Sequence, residues 1–358
     1  MDAITLVMLA FSVLGALDRI IGDKFGLGKE FEKGFLLLGN LSLAMIGMIV
    51  ISPYIATLLQ PVFTFVSDTL GFEPSIIPAT LFSNDVGGAS LAQEVAADAQ
   101  MGAFNGLVVA SMMGATISFN VPFSLSTVNK EKHRELMLGL LCGIIAIPVG
   151  SFFAGLFAGL PAGALFKNLL PIILISALIA FGLMKAPGVC VKFFGWLGTG
   201  IKILITIGLS LAIIRFLTGK ELLPGLATLE EAMGICLSCA VIMTGAFPLL
   251  HILSKLLKKP LGKIGRMLHV NDASMMGFLS TLASSMPTFE NMKDMDKKGL
   301  LLNAAFAVPA GFVLADHLAF TLAFNSAYVA PMMIGKLLSG LLAVAAALFL
   351  GRRMNQDA

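Results

Sequence analysis

Two aspartates stand in the same short setting, Leu-x-x-Asn-Asp, at Leu81–Asp85 and Leu268–Asp272. Apolar sequence surrounds both, and a carboxylate near the centre of a bilayer costs about 2.5–3.5 kcal/mol on insertion scales, so functional use is the default reading. The plainer reading is that each aspartate caps the half-helix behind it, and the two roles are compatible. Asn84 and Asn271 stand directly beside them. After Asp85, Gly87-Gly88 is turn chemistry, because glycine takes backbone angles closed to other residues. Pro78 removes a backbone donor just before the turn, and Ser90-x-x-Gln93 reads as a capping box that opens a new helix. The spacing predicts two half-helices meeting at an unwound segment, where free N–H and carbonyl groups are available to a solute. Asn120-Val121-Pro122 and Ser285-Met286-Pro287 predict further local unwinding. Asp316-His317 interrupts another apolar run, either as a proton relay or as a structural ion pair.

The elements that position these residues are membrane helices. Of 358 residues 57% are hydrophobic and 13% charged, roughly half the charge of a soluble chain, and the mean hydropathy is +0.93. The apolar residues fall in blocks, such as 36–59, 136–160 and 201–217, long enough to cross a bilayer at about 20 residues each. The expected fold is all-α, a polytopic transmembrane helix bundle of about 10–11 membrane segments, some broken or re-entrant. Bare backbone at such breaks is tolerated only inside protein or beside water. The first apolar block lacks a basic leader and a cleavage site, and reads as a retained helix.

Lys and Arg total 24 against 21 Asp and Glu, with no concentrated basic face for nucleic acid. Six connectors hold most of the basic charge: 19–33, 130–134, 185–192, 255–266, 293–298 and Arg352-Arg353. The positive-inside rule places all six in the cytoplasm, which makes 267–289 a re-entrant hairpin. Strict inverted halves of five crossings each would instead send 293–298 and Arg352-Arg353 outside. Cys236-x-x-Cys239 lies in an apolar helical run without a metal-finger context, and no His-Glu-x-x-His occurs, so no metal or cofactor is expected. Glu94 and Asp98 form either an acidic vestibule or the wet face of a half-exposed helix.

The chain also carries an internal echo. Ala-Ser-Met-Met-Gly occurs at Ala110–Gly114 and Ala273–Gly277, and each copy is followed by a proline, a charged connector and a Pro-x-Gly, at Pro148 and Pro309. These landmarks predict two repeats, 1–190 and 191–358, as in many secondary transporters. The Leu-x-x-Asn-Asp strings break the register, because the first half carries 24 extra residues between that string and Ala-Ser-Met-Met-Gly.

The segment Phe82–Ala92 (FSNDVGGASLA), with Asn120–Phe123 (NVPF) and His269–Leu279 (HVNDASMMGFL), resembles the ethanolamine-utilisation, EutH-type, permease family over essentially the whole chain. The resemblance implies ethanolamine uptake across the bacterial cytoplasmic membrane by a multi-pass carrier that is not an enzyme. An aminoalcohol is mostly an ammonium ion at neutral pH and needs a carboxylate for nitrogen and hydrogen-bonding partners for oxygen. Asp85 and Asp272 are the candidate charges; Asn84, Asn271, Ser90 and Asn120 are the candidate hydroxyl partners. Coupling to protons or sodium, and homo-oligomer formation, stay open. So does another small polar substrate: a carboxylate would want a basic group at depth, for which Lys202 and Arg215 are the candidates. A membrane-embedded enzyme lacks its catalytic cluster here.

Overall fold

Capping chemistry sets where the helices stop. The computed structural model describes residues 3–354. Helix α1 (Ala3–Ile20) ends in a turn held by Asp18, whose buried carboxylate accepts from the backbone N–H groups of Phe25, Leu27 and Gly28. Helices α2 (Leu27–Leu36) and α3 (Leu38–Leu58) then form one apolar span. After the short α4 (Gln60–Thr64) come α5 (Ile76–Leu81) and α6 (Gly88–Val95). Helix α7 (Ala99–Phe104) starts on the Asp98 side chain and runs through a widened π-helical stretch, 105–120, into α8 (Val121–Thr127). Three long apolar helices follow, α9 (His133–Phe157), α10 (Ala162–Lys185) and α11 (Pro187–Thr218). A capping box of Thr228 and Glu231 opens α12 (Leu229–Leu268). Four shorter pieces, α13 (Asp272–Ala283), α14 (Ser285–Glu290), α15 (Lys297–Ala310) and α16 (Asp316–Asn325), lead to the last helix, α17 (Val329–Met354).

Among the described residues every regular element is helical, and eight helices are long and apolar enough to cross a membrane. The protein is a multi-pass membrane protein. The expected ten to eleven segments counted pieces that are too short to span alone: α5, α6, α13, α14 and α15 have 6, 8, 12, 6 and 14 residues.

The basic connectors gather at one end of the bundle. Lys255 Nζ donates to the Phe25 carbonyl at 3.3 Å. Lys132 Nζ donates to the carbonyls of Met292, Lys293 and Met295, and Lys298 Nζ to that of Leu268 at 2.6 Å. Helices α10 and α17 run antiparallel to α9, with Leu165 on Gly155 and Gly335 on Ala154, and so carry 185–192 and 352–353 to the same end. At the opposite end Glu73 accepts from the N–H groups of Ala97 and Asp98, and Tyr328 donates to the Gln100 carbonyl at 2.9 Å. Glu94 and Asp98 are exposed there.

Two helical hairpins enter from these opposite ends. In the first, α5 and α6 fold back on each other. Ser75 accepts from Asn105 Nδ2 at 2.9 Å, Ala89 and Ala92 pack on the adjacent Gly106, and the tip at Phe82 reaches Gly114. Gly114 lies nine residues beyond Asn105 in the same helical stretch. In the second, Asn271 Nδ2 donates to the Asp294 carbonyl at the mouth, and the Thr281 and Thr288 hydroxyls meet at 2.9 Å near the tip. This hairpin falls almost wholly within 267–289, the segment that the distribution of Lys and Arg predicts to be re-entrant. Between α15 and α16 the chain unwinds over 311–315, with Phe312 at φ 64°. The freed N–H groups of Phe312 and Leu314 donate to the carbonyls of Thr281 and Leu282, so the second hairpin satisfies the break. Gly139 and Gly143 let α9 lie against Leu301–Val308 of α15, whereas Gly159 and Gly163 have no packing neighbour.

Candidate functional site

The tip of the first hairpin is built by its glycines. Gly87 takes φ 92°, and a side chain there would strike Met48, while a Cβ on Gly88 would strike the carbonyls of Phe82 and Ser83. Free of side chains at these two positions, the chain turns tightly and presents Ser83, Asn84 and Asp85 to the break before α16. Ser83 Oγ donates to Asp85 Oδ1 at 2.6 Å and lies 3.2 Å from His317 Nε2. Asn84 Nδ2 reaches Thr321 Oγ1 at 3.5 Å. Asp85 Oδ1 stands 3.8 Å from His317 Nε2. On the other side of the imidazole, Lys336 Nζ lies 3.0 Å from Nδ1 and also donates to the Ser111 carbonyl. Lys336 is fully buried, whereas the Asp85 side chain keeps 16% of its surface accessible and therefore lines open space.

Asp316 precedes His317 at the start of α16. It is partly buried, and no hydrogen bond or ion pair is formed by its carboxylate among the described residues. The Asp85 carboxylate, the His317 imidazole and the Lys336 side chain thus meet where two helices are interrupted, with Asp316 the chain neighbour of His317. That arrangement can hold a small cation, exchange a proton, or do both.

A second polar knot forms at the tip of the other hairpin. Asn120 Nδ2 donates to the Val308 carbonyl at 3.1 Å, and Asn120 Oδ1 accepts from Ser285 Oγ at 2.6 Å. The Phe312 ring links the knots, 5.1 Å from that of His317 and 6.5 Å from that of Phe119. Ser90 lies on α6 behind the first tip, and its buried hydroxyl has no hydrogen-bond partner among the described residues.

Asn84, Asp85, Asp316 and His317 are brought together, with Ser90 and Asn120 on neighbouring elements. Asn271 and Asp272 are not. They are exposed at the basic end, where Asn271 caps α13 and Asp272 shares a groove with Lys258, Lys259, Lys263 and Arg266. The physical reason is the register break: Asn-Asp forms the tip of the first hairpin but the mouth of the second. Lys202 is exposed on α11, and Arg215 pairs with Glu221 at 3.5 Å. The basic group at depth is Lys336, which sequence reasoning passed over together with Ser83 and Thr321. Its signal was a lone lysine between Gly335 and Leu337 in an otherwise apolar helix.

Residues 1–350 match the family described as ethanolamine utilisation protein, EutH. The chain belongs to this family. It is 43% identical over 353 residues to a Listeria monocytogenes protein named "Probable ethanolamine permease EutH", covering 99% of this chain and 95% of the relative. A Salmonella typhimurium protein of the same name is 36% identical over 387 residues, with 98% and 95% covered. A Bacillus subtilis relative, named only as the uncharacterized protein YxeR, is 36% identical over 346 residues, with 97% and 94% covered. No solved structure matches the chain. Full-length EutH similarity makes this a transporter and not an enzyme.

Proposed function

We propose that this protein is an ethanolamine permease of the bacterial cytoplasmic membrane, with Asp85 and Asp316 as the counter-charge for the substrate ammonium. The observation that carries the reading is the partly accessible Asp85 carboxylate at the first hairpin tip, 3.8 Å from His317 at the break before α16, with Asp316 beside His317 in the chain. Around them Asn84 and Ser90 supply hydroxyl partners, and the Ser90 oxygen is unpaired. Asn120 serves the neighbouring tip. The names of the Listeria and Salmonella relatives support ethanolamine as the substrate.

The order of elements supports alternating access between inverted halves. Helices α1 and α3, the first hairpin, the α7–α8 span and α9 have counterparts in α11, α12, the second hairpin, the α15–α16 span and α17. Each counterpart runs the opposite way, and α10 links the two sets. Hairpin tips that enter from opposite ends and meet near one site give each side of the membrane its own gate. The Ala-Ser-Met-Met-Gly copies fall on unlike elements in this scheme, one in a span and one in a hairpin.

A second reading, an anionic solute, gains the deep Lys336. Its donors already serve Ser111 and His317, however, and Lys336 is fully buried whereas the Asp85 side chain is partly accessible. Uptake of labelled ethanolamine into membrane vesicles tests the proposal. Wild-type vesicles should accumulate label and lose it to excess unlabelled ethanolamine, and Asp85→Asn and Asp316→Asn should each reduce uptake at least about tenfold, the factor that 1.4 kcal/mol of lost binding produces. Normal uptake by both variants at matched protein levels would remove the carboxylates from the site.

A further inference from the structure

Helix α12 is too long for a bilayer. Its 40 residues measure about 60 Å at 1.5 Å per residue, against a hydrocarbon core of about 30 Å. Even at a tilt of about 40°, the core takes up only about 26 residues. The helix opens on Glu230 and Glu231 and carries no Lys, Arg, Asp or Glu from Ala232 to Ser254, so the surplus falls at its other end, 255–268. That end holds Lys255, Lys258, Lys259, Lys263 and Arg266 and no acidic residue.

At about 100° per residue this end divides into three stripes, each about 80° wide. Leu257, Leu261, Gly265 and Leu268 form the packed stripe, and Gly265 lies on Met275 of α13. Lys255, Lys259, Lys263 and Arg266 form an exposed basic stripe, with Lys258 at its edge. Between the two run Leu256, Ile264 and Met267, which are 68%, 44% and 78% exposed. A helix end that faced only water would carry polar residues there. Lys258, Lys259, Lys263 and Arg266, with Asp272, Met275 and Met276 of α13, line a groove of about 550 Å³. Four cations thus face one carboxylate, and none of the four side chains makes a hydrogen bond or ion pair among the described residues. Cations beside an exposed apolar stripe, just beyond the hydrocarbon core, are what a helix seated among anionic headgroups requires.

We propose that 255–268 of α12 and the mouth of the second hairpin form a docking surface for anionic phospholipid. The phosphate sits on Lys258, Lys259, Lys263 and Arg266, and the acyl chains run along Leu256, Ile264 and Met267. A soluble acidic partner would match the cations but leave the three apolar side chains without a counterpart. Docking of this kind does not depend on the transported solute.

The experiment uses the purified full-length protein in mixed micelles. Leu256→Trp in a Trp196→Phe background puts the only tryptophan on the exposed apolar stripe. Its quenching by phosphatidylglycerol with brominated acyl chains is compared with quenching by brominated phosphatidylcholine. Phosphatidylglycerol should bind at least about fivefold more tightly, and high salt should shrink the preference. Lys258→Gln, Lys259→Gln, Lys263→Gln and Arg266→Gln combined should abolish it. Lys24→Gln, Lys130→Gln, Lys293→Gln and Lys297→Gln combined, four lysines exposed at the same end, should leave it intact. Ile264→Gln with Met267→Gln should weaken quenching by both lipids, and soluble glycerol phosphate should displace neither. Equal quenching by the two lipids would overturn the proposal, as would equal loss of preference in the two lysine variants. Displacement by glycerol phosphate would make the groove a soluble-phosphate site and overturn it too. The lipid comparison, salt and glycerol phosphate arms need only the tryptophan variant, so the test stays decisive if a charge variant does not fold.

Discussion

His317 occupies the position through which Lys336 and Asp85 communicate, with one ring nitrogen towards each. Removing the ring leaves an ammonium and a carboxylate in the interior without their bridge, so His317→Ala should change more than local packing. If the cluster relays protons, an imposed inward proton gradient should stimulate wild-type uptake, and His317→Ala should abolish that response. Wild-type uptake that ignores the gradient would assign the imidazole to positioning alone. Asn120 acts differently, because its amide joins the Val308 carbonyl to Ser285. Asn120→Ala leaves buried partners unsatisfied, at about 1–3 kcal/mol, and should lower the thermal midpoint of the purified protein; an unchanged midpoint would show that the knot is dispensable. Asp85, Asn84, Asn120 and His317 were legible because polar side chains in apolar blocks are costly and conspicuous. Asp272 misled because identical strings need not lie at identical depth. Lys336 was passed over because the apolar run was read as starting at Leu337, which made the lysine look like a boundary residue although apolar sequence also precedes it.

At the scale of elements, the hairpins work because their tips are thin. A β-branched residue at Gly87 must take a left-handed conformation that costs roughly 1–2 kcal/mol for an L-residue and must also displace Met48. Gly88 has no room for a Cβ beneath the Phe82 and Ser83 carbonyls. Gly87→Val and Gly88→Val should therefore insert into the membrane yet lose most uptake, measured against matched protein levels, although neither removes a polar contact. Normal uptake in both would mean that the tip tolerates rearrangement and does not form the site. The turn itself was readable from Asn84-Asp85-Val86-Gly87-Gly88. The two half-helices fold back rather than continue across, and the Glu73 carboxylate meets the N–H groups of Ala97 and Asp98 at the mouth, a long-range contact that local sequence does not encode.

At the scale of the whole molecule, the charge pattern and an inverted arrangement appeared to exclude each other, because five plain crossings per half would have put 293–298 outside. Under the proposed inverted halves the conflict dissolves, because each half would contain a hairpin that returns to its own side. All six basic clusters then share one end, and each element after α10 still runs opposite to its counterpart before it. The distribution of lysine and arginine was legible because it needs only composition, whereas the pairing of elements needs contacts across the bundle. Single-cysteine labelling checks the arrangement in a variant lacking Cys142, Cys190, Cys236 and Cys239. Those four native cysteines are free and three are buried, so conservative replacement should leave the bundle intact. Thiols introduced at Lys132, Lys258 and Lys297 should resist an impermeant reagent applied to intact cells and react once the membrane is opened. Thiols at Gln100 and Ser326, at the opposite end, should react from outside in both conditions. Outside reactivity at Lys297 with protection at Lys132 would separate two connectors that the Lys132 ammonium now ties to the Met292, Lys293 and Met295 carbonyls. That result would make α13–α14 a crossing and remove the second gate.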